Sequence, residues 1–238
     1  MLLRLLTNSK SGAALVFRPV LAVVLLCLSF VTGTMAQQGA TQQSPRKSNE
    51  RPADAAAAPP QVQKKREPFD NASGIEMGSQ CVTLETESGV IVIEMLADAA
   101  PETVRNFLNL AATGALDTTT FSRVVKGFVI QGGNLATSER WGAELSERAR
   151  RTIQDEPNYV KHLRGVVSMA RPEKPNGAST HFFILVAEAP TLDGKFAAFG
   201  RVTSGMEVVD AINNMPVEGE KPVKPVRLRC ASVAPCVK

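Results

Sequence analysis

Between residues 81 and 233 the sequence is cut into short β-branched runs by closely spaced turn residues, and that punctuation leaves few folds open. Residues 82–86 and 90–96 form two such runs around a Glu87-Ser88-Gly89 turn. Residues 165–170, 180–187, 196–202 and 226–233 form four more, and segments such as RPEKPNGAS and EAPTLDGK separate them. Each run has the length and composition of one strand. The separators are rich in Pro, Gly, Asn and Asp, which supply the backbone conformations of tight reversals.

Only two segments carry a strong helical period. Pro101 opens the first at a position where its missing N–H does no harm. Val104, Phe107, Leu108 and Ala111 then share one face, and Gly114 is free to turn left-handed at the end. The second reads as a Ser204-x-x-Glu207 capping box followed by Val208, Val209, Ile212 and Met215, with Pro216 as its stop. Residues 135–164 read as a polar surface excursion with one short helical piece. Many short strands and two isolated helices predict a mainly β fold, an antiparallel barrel with helices covering its ends.

The N-terminal part belongs to no such core. Arg4, Lys10 and Arg18 flank an apolar run over residues 20–31, and Thr34-Met35-Ala36 offers small residues before Gln37. This predicts a signal peptide over residues 1–36, cut after Ala36. The run is shorter than the roughly 20 residues of a spanning helix, so membrane attachment is expected only through an uncleaved signal. Residues 37–75 are rich in Gln, Ala, Pro, Ser and Lys and predict a disordered spacer. The folded domain is expected over residues 76–238. Without Arg4, Lys10 and Arg18, 24 basic residues face 23 acidic ones, a net of +1. That near-neutral balance excludes nucleic-acid binding as a primary role. Cys81, Cys230 and Cys236 remain, and export permits a disulfide while leaving one thiol over. With no histidine spaced near them, no metal site is expected.

One run carries a residue out of character. FSRVVKGFVIQGGN, residues 121–134, places Arg123 among β-branched residues ahead of a Lys126-Gly127 turn, with Gln131 beyond it. A strand arginine either snorkels to water or needs acceptors for its guanidinium; the stretch alone leaves both open.

Together, FSRVVKGFVIQGGN, GVVSMAR, STHFFIL and LDGKFAAFGRV, in that order, resemble the motifs of the cyclophilin family of peptidyl-prolyl cis–trans isomerases. The opening GVIVIEMLADAAPETVRNFLNL and the closing KPVRL extend the resemblance over residues 81–235. It implies an eight-stranded antiparallel β-barrel with two covering α-helices. It makes Arg123 the catalytic arginine and Gln131 the polar residue that keeps substrate and arginine in register. Phe128, Phe183 and Leu192 become walls of a proline pocket, with Val129 where the family often has methionine. Phe121 supports the pocket from behind, and Ala170 and Arg171 offer backbone contacts to a bound peptide. His181 stands where glutamine is usual and Phe196 where histidine or tyrosine is frequent. Thr191 replaces a tryptophan common in eukaryotic members, which implies weak cyclosporin sensitivity. Adjacent first and last strands imply a Cys81–Cys236 disulfide with Cys230 buried and free, and Cys81–Cys230 as the second possibility.

The function implied is rotation of X–Pro bonds in unfolded or flexible exported polypeptides, by a monomer needing no cofactor, in a bacterial-like periplasm or outside the cell. A non-catalytic proline-binding holdase is the other reading.

Overall fold

In the computed structural model, which describes residues 66–237, the short runs become ten strands among the described residues. Eight of them form one antiparallel sheet: β1 (Gln80–Thr86), β2 (Gly89–Met95), β3 (Arg123–Val125), β4 (Val129–Gly132), β5 (Val166–Met169), β6 (Phe182–Leu185), β7 (Ala198–Ser204) and β10 (Leu228–Pro235). Their order is β10-β1-β2-β7-β5-β6-β4-β3. The remaining pair, β8 (Val217–Glu218) and β9 (Lys221–Pro222), makes a small hairpin. Its Glu220 carbonyl accepts the Val124 N–H at 2.8 Å, so the hairpin covers the outer edge of β3. Covering that edge removes a row of unpaired backbone groups. The two ends of the sheet are drawn together where Thr120 bridges Arg227, and the Phe121 N–H donates to the Val226 carbonyl at 3.0 Å. The result is the mainly β, curled antiparallel sheet that the turn-rich spacing predicts.

Alternation builds the interior. Val82 and Leu84 on β1 and Ile91, Ile93 and Met95 on β2 are buried at every second position, as the two-residue pleat requires. Helix α2 (Pro101–Ala112) lays Val104, Phe107, Leu108 and Ala111 on the sheet. Phe107 is fully buried, its ring 5.1 Å from Phe182 and 4.9 Å from Phe199. Helix α4 (Met206–Asn213) buries Val208, Val209 and Ile212. Two further helices, α1 (Gly74–Gly78) and α3 (Ala143–Arg150), accompany these two.

Four local expectations are corrected. The expected leader and the spacer as far as residue 65 lie outside the described residues, but the spacer's last ten residues are ordered. Phe69 and Ala72 pack against the core, and Arg105 donates to the Phe69 and Ala72 carbonyls. Glu67 takes hydrogen bonds from Arg148 at 3.0 Å and Arg151 at 3.1 Å. Ser73 and Glu76 form the reciprocal capping box that starts α1 and buries Met77. The signal for this was the S-x-x-E pattern at Ser73 and Glu76, but the partners lie on α2 and at the end of α3.

The Ser204–Glu207 box, by contrast, does not form. Ser204 still pairs with Val92 as the last residue of β7. The helix instead starts after Gly205, whose φ is +90° and whose added Cβ would sit 2.1 Å from the Val90 carbonyl oxygen. Glycine alone tolerates both the dihedral and the approach. Cys230 is half-buried rather than buried.

The excursion over residues 135–164 is more than a surface loop. After α3, residues 151–164 form a strap across the outside of the sheet. At its middle, Glu156 caps α2 from a distance: the carboxylate accepts from the N–H groups of Glu102 (3.1 Å) and Thr103 (2.7 Å) and from the Thr103 hydroxyl (2.7 Å). Ala100, the residue at the cap position, has no side chain to do so. A carboxylate there satisfies orphan donors and opposes the positive end of the helix dipole. Glu156→Ala is therefore expected to cost about 1–2 kcal/mol, read as a lower urea midpoint with unchanged slope.

Candidate active site

The β3–β4 hairpin and its pairing place the polar groups. Arg123 lies directly opposite Gln131, and Gln131 directly opposite Phe183 on β6. Directly opposed residues share a face of the sheet, so these three line up across adjacent strands. Arg123 Nη1 donates to Gln131 Oε1 at 3.2 Å. Its Nε and Nη2 donate to Glu220 at 2.7 and 3.2 Å. The guanidinium is thus held from two sides, and the side chain is 42 % exposed, open to a ligand.

These residues border a cavity of about 180 Å³ whose lining is Arg123, Phe128, Val129, Gln131, Ala170, Arg171, Phe183, Leu192 and Phe196. Val129 and Phe183 are buried beneath it, while Phe128, Leu192 and Phe196 are half-buried walls. Phe183 and Phe196 meet edge to face, 5.8 Å apart. A pocket of this size, apolar with a few convergent donors, suits a small ring rather than a large cofactor.

Leu192 depends on the strap for its position. Asp193 accepts from the His162 N–H at 2.9 Å and from Lys161 Nζ at 3.0 Å, and pairs with His162 Nδ1 at 3.0 Å. These donors, the His162 N–H foremost, hold its carboxyl down at about 2. The buried imidazole of His162 reaches on to the Ser168 hydroxyl of β5 at 3.0 Å. The loop that carries Leu192 is so tied to the sheet.

Two expectations about site residues change. Phe121 is 1 % exposed and packs against Phe182 in the main core, outside the cavity lining. His181 lines a second cavity of about 280 Å³, which shares Gln131, Ala170 and Arg171 with the first. It lies one position N-terminal of β6 and two residues from Phe183, a spacing that puts both on one side of the pleat, and the two cavities adjoin through Gln131, Ala170 and Arg171. Gly133 fixes this junction: at φ +81°, its added Cβ would meet the Thr180 carbonyl oxygen at 2.1 Å.

The side chain of Arg171 was missed by the sequence reading, which assigned it backbone contacts alone. Its guanidinium lies over the Phe196 ring, 5.4 Å from the centroid, and 3.7 Å from Asp155 of the strap. Arginine on an aromatic face is a favourable contact; the stacked pair replaces the polar rim that a histidine or tyrosine would supply. A larger cavity of about 590 Å³ lies elsewhere, but Glu67, Arg148 and Arg151 in its lining are committed to one another. The smaller one is where an oriented donor meets apolar walls.

Burial lowers the His181 pKa from its ordinary value. A depressed folded pKa means that the unfolded chain takes up the proton first. Stability is then unaffected well above the unfolded pKa of about 6.5 and falls as pH drops through it, until the folded form also protonates. His181→Gln is expected to flatten the fall in Tm between pH 7 and 5.

Comparison with known proteins fits this geometry. The family profile described as cyclophilin type peptidyl-prolyl cis-trans isomerase matches residues 81–233. The peptidyl-prolyl cis-trans isomerase cypE of Dictyostelium discoideum is 38 % identical over 154 residues, 64 % of this chain and 96 % of that protein. Peptidyl-prolyl cis-trans isomerase-like 3 of Mus musculus is 38 % identical over 146 residues, 61 % of this chain and 88 % of that protein. Among solved structures, a cyclophilin-type isomerase of Cryptosporidium parvum in the presence of the dipeptide Ala-Pro superposes with a TM-score of 0.57. It is 30 % identical, covering 65 % of this chain and 98 % of that one.

Proposed function

This chain belongs to the cyclophilin-type peptidyl-prolyl cis-trans isomerase family, and we propose that Arg123 carries its chemistry over the cavity walled by Phe128, Phe183, Leu192 and Phe196. The reaction has a barrier of about 18–20 kcal/mol set by amide resonance, and no covalent bond is made or broken. Catalysis therefore means binding the twisted amide better than either planar form. In mid-rotation the proline nitrogen loses conjugation and becomes a hydrogen-bond acceptor. A guanidinium N–H held at that point stabilises only the twisted state. The aromatic walls hold the proline ring while the carbonyl side of the bond rotates, and Gln131 keeps the guanidinium and the peptide in register.

The observation that carries this reading is the direct Arg123–Gln131–Phe183 alignment on three adjacent strands, beside a ring-sized apolar cavity. The Ala-Pro dipeptide present with the Cryptosporidium parvum relative supports proline-containing peptides as ligands here. The leader pattern and the Cys81–Cys236 disulfide support an oxidising, exported setting with flexible X–Pro segments of other exported proteins as clients. NMR exchange spectroscopy on an Ala-Pro peptide tests the reading: wild type accelerates exchange and Arg123→Ala does not. Equal and negligible rates in the two would overturn it and favour a holdase that binds proline without turnover; equal and fast rates would remove Arg123 from the chemistry.

A further inference from the structure

We propose that Glu220, at the tip of the β8–β9 hairpin, is the positioning residue for Arg123, fixing the guanidinium so that its remaining donors face the substrate. The inference rests on the reading of Arg123 given above. An arginine has five N–H donors. Glu220 takes one from Nε and one from Nη2, and Gln131 takes one from Nη1. One donor is left on each terminal nitrogen. Two acceptors on different edges of a planar group fix its orientation, which a single acceptor does not.

The backbone aims the carboxylate. Gly219 turns the hairpin at φ +64°, and the Glu220 carbonyl accepts the Val124 N–H at 2.8 Å, one residue from Arg123. The hairpin is anchored beyond this contact. Asn213 Nδ2 donates to the Val125 and Val129 carbonyls at 2.9 and 3.1 Å, and Lys126 Nζ donates to the Met215 carbonyl at 2.5 Å. The segment from α4 to β9 therefore grips the β3–β4 hairpin at both backbone and side chain. An arginine side chain has several rotatable bonds, and misplacement of a donor by about 1 Å can cost on the order of 100-fold in rate. A fixed acceptor removes that freedom before substrate arrives.

The pairing also bears on pH. Arg123 holds the Glu220 carboxyl below its ordinary value. The other charged groups on the packed elements are Glu218 and Lys221 on the hairpin, Lys126 in the β3–β4 turn, and Glu207 and Asp210 on α4. Asp210 is held by Arg164. As pH falls through the lowered Glu220 pKa, the carboxylate is protonated and the grip on Arg123 loosens.

Exchange spectroscopy over a range of Ala-Pro peptide concentrations separates kcat from KM at any pH. Glu220→Ala is expected to lower kcat about fivefold to tenfold with KM nearly unchanged, and Glu220→Gln, which still accepts one hydrogen bond, to lie between. Wild type should lose kcat as pH falls below the ordinary glutamate range while Glu220→Gln does not; any limb due to His181 is common to both. In an Arg123→Ala background, Glu220→Ala should have no further effect. An unchanged or raised kcat in Glu220→Ala, or the same acid limb in Glu220→Gln, overturns the proposal. If Glu220→Ala does not fold, the Glu220→Gln pH profile decides alone. A fully active Arg123→Ala would instead sink the reading of Arg123, a separate result.

Discussion

Replacing Arg123 by alanine is expected to lower kcat/KM for an Ala-Pro peptide by about 100-fold, equivalent to about 2.7 kcal/mol of transition-state stabilisation. The change removes the donor proposed above to face the proline nitrogen but leaves the cavity walls of Phe128, Phe183 and Leu192 intact. Ground-state binding of the peptide should persist, so the loss falls on kcat. Fold stability should barely move, because the side chain is 42 % exposed and its partner Glu220 is 56 % exposed; exposed pairs contribute little. Arg123→Lys is not a conservative test substitution. An ammonium keeps the charge but cannot bond Glu220 on one edge and Gln131 on the other while presenting a donor to substrate. It should recover less than a tenth of the lost rate. An Arg123→Ala protein with wild-type kcat would exclude the arginine from catalysis.

The second large effect concerns stability. Cys81 and Cys236 join the neighbouring strands β1 and β10, with Cα atoms 4.9 Å apart and 155 residues of separation. Cys81 lies within the β1–β10 ladder, opposite Ala234, and Cys236 just beyond it, its N–H donating to the Ser79 carbonyl at 2.9 Å. Tying the ends of so long a loop restricts the unfolded chain strongly, which loop-closure reasoning puts at about 3–5 kcal/mol. The Cys81→Ser/Cys236→Ser double variant should therefore melt roughly 10–15 °C below wild type. Cys230→Ser should change little, since that thiol is half-buried and outside the bridge. A wild-type protein whose Tm is indifferent to reductant would show that the bridge contributes nothing. The two effects are separable: one changes rate with little change in Tm, the other Tm with little change in rate.

Much of the fold was legible because it follows from local rules. The alternation in 82–86 and 90–96 placed β1 and β2, and the Pro101 start and the 104/107/108/111 face placed α2. The Lys126-Gly127 turn between two short β runs was legible, and the structure pairs Arg123 with Gln131 across it. Capping was less legible. The same S-x-x-E pattern occurs at Ser73 and Ser204, and the box forms at the first and not the second. What separates them is whether the serine's backbone is already taken by a strand, which depends on β2, over a hundred residues from Ser204.

The sequence by itself determined the strand and helix periods, the hairpin that pairs Arg123 with Gln131, and the identity of the apolar residues around them. These depend on residues within one turn or one hairpin of each other, where spacing fixes geometry. Only the tertiary structure decided that Glu220, 97 residues away, grips Arg123, that Glu156 caps α2 from 53 or 54 residues away, and that Arg171 stacks on Phe196. It also put Phe121 in the core and His181 in the neighbouring cavity. Such contacts join residues far apart in the chain whose meeting follows from how the sheet curls, and no local period records which one will arrive.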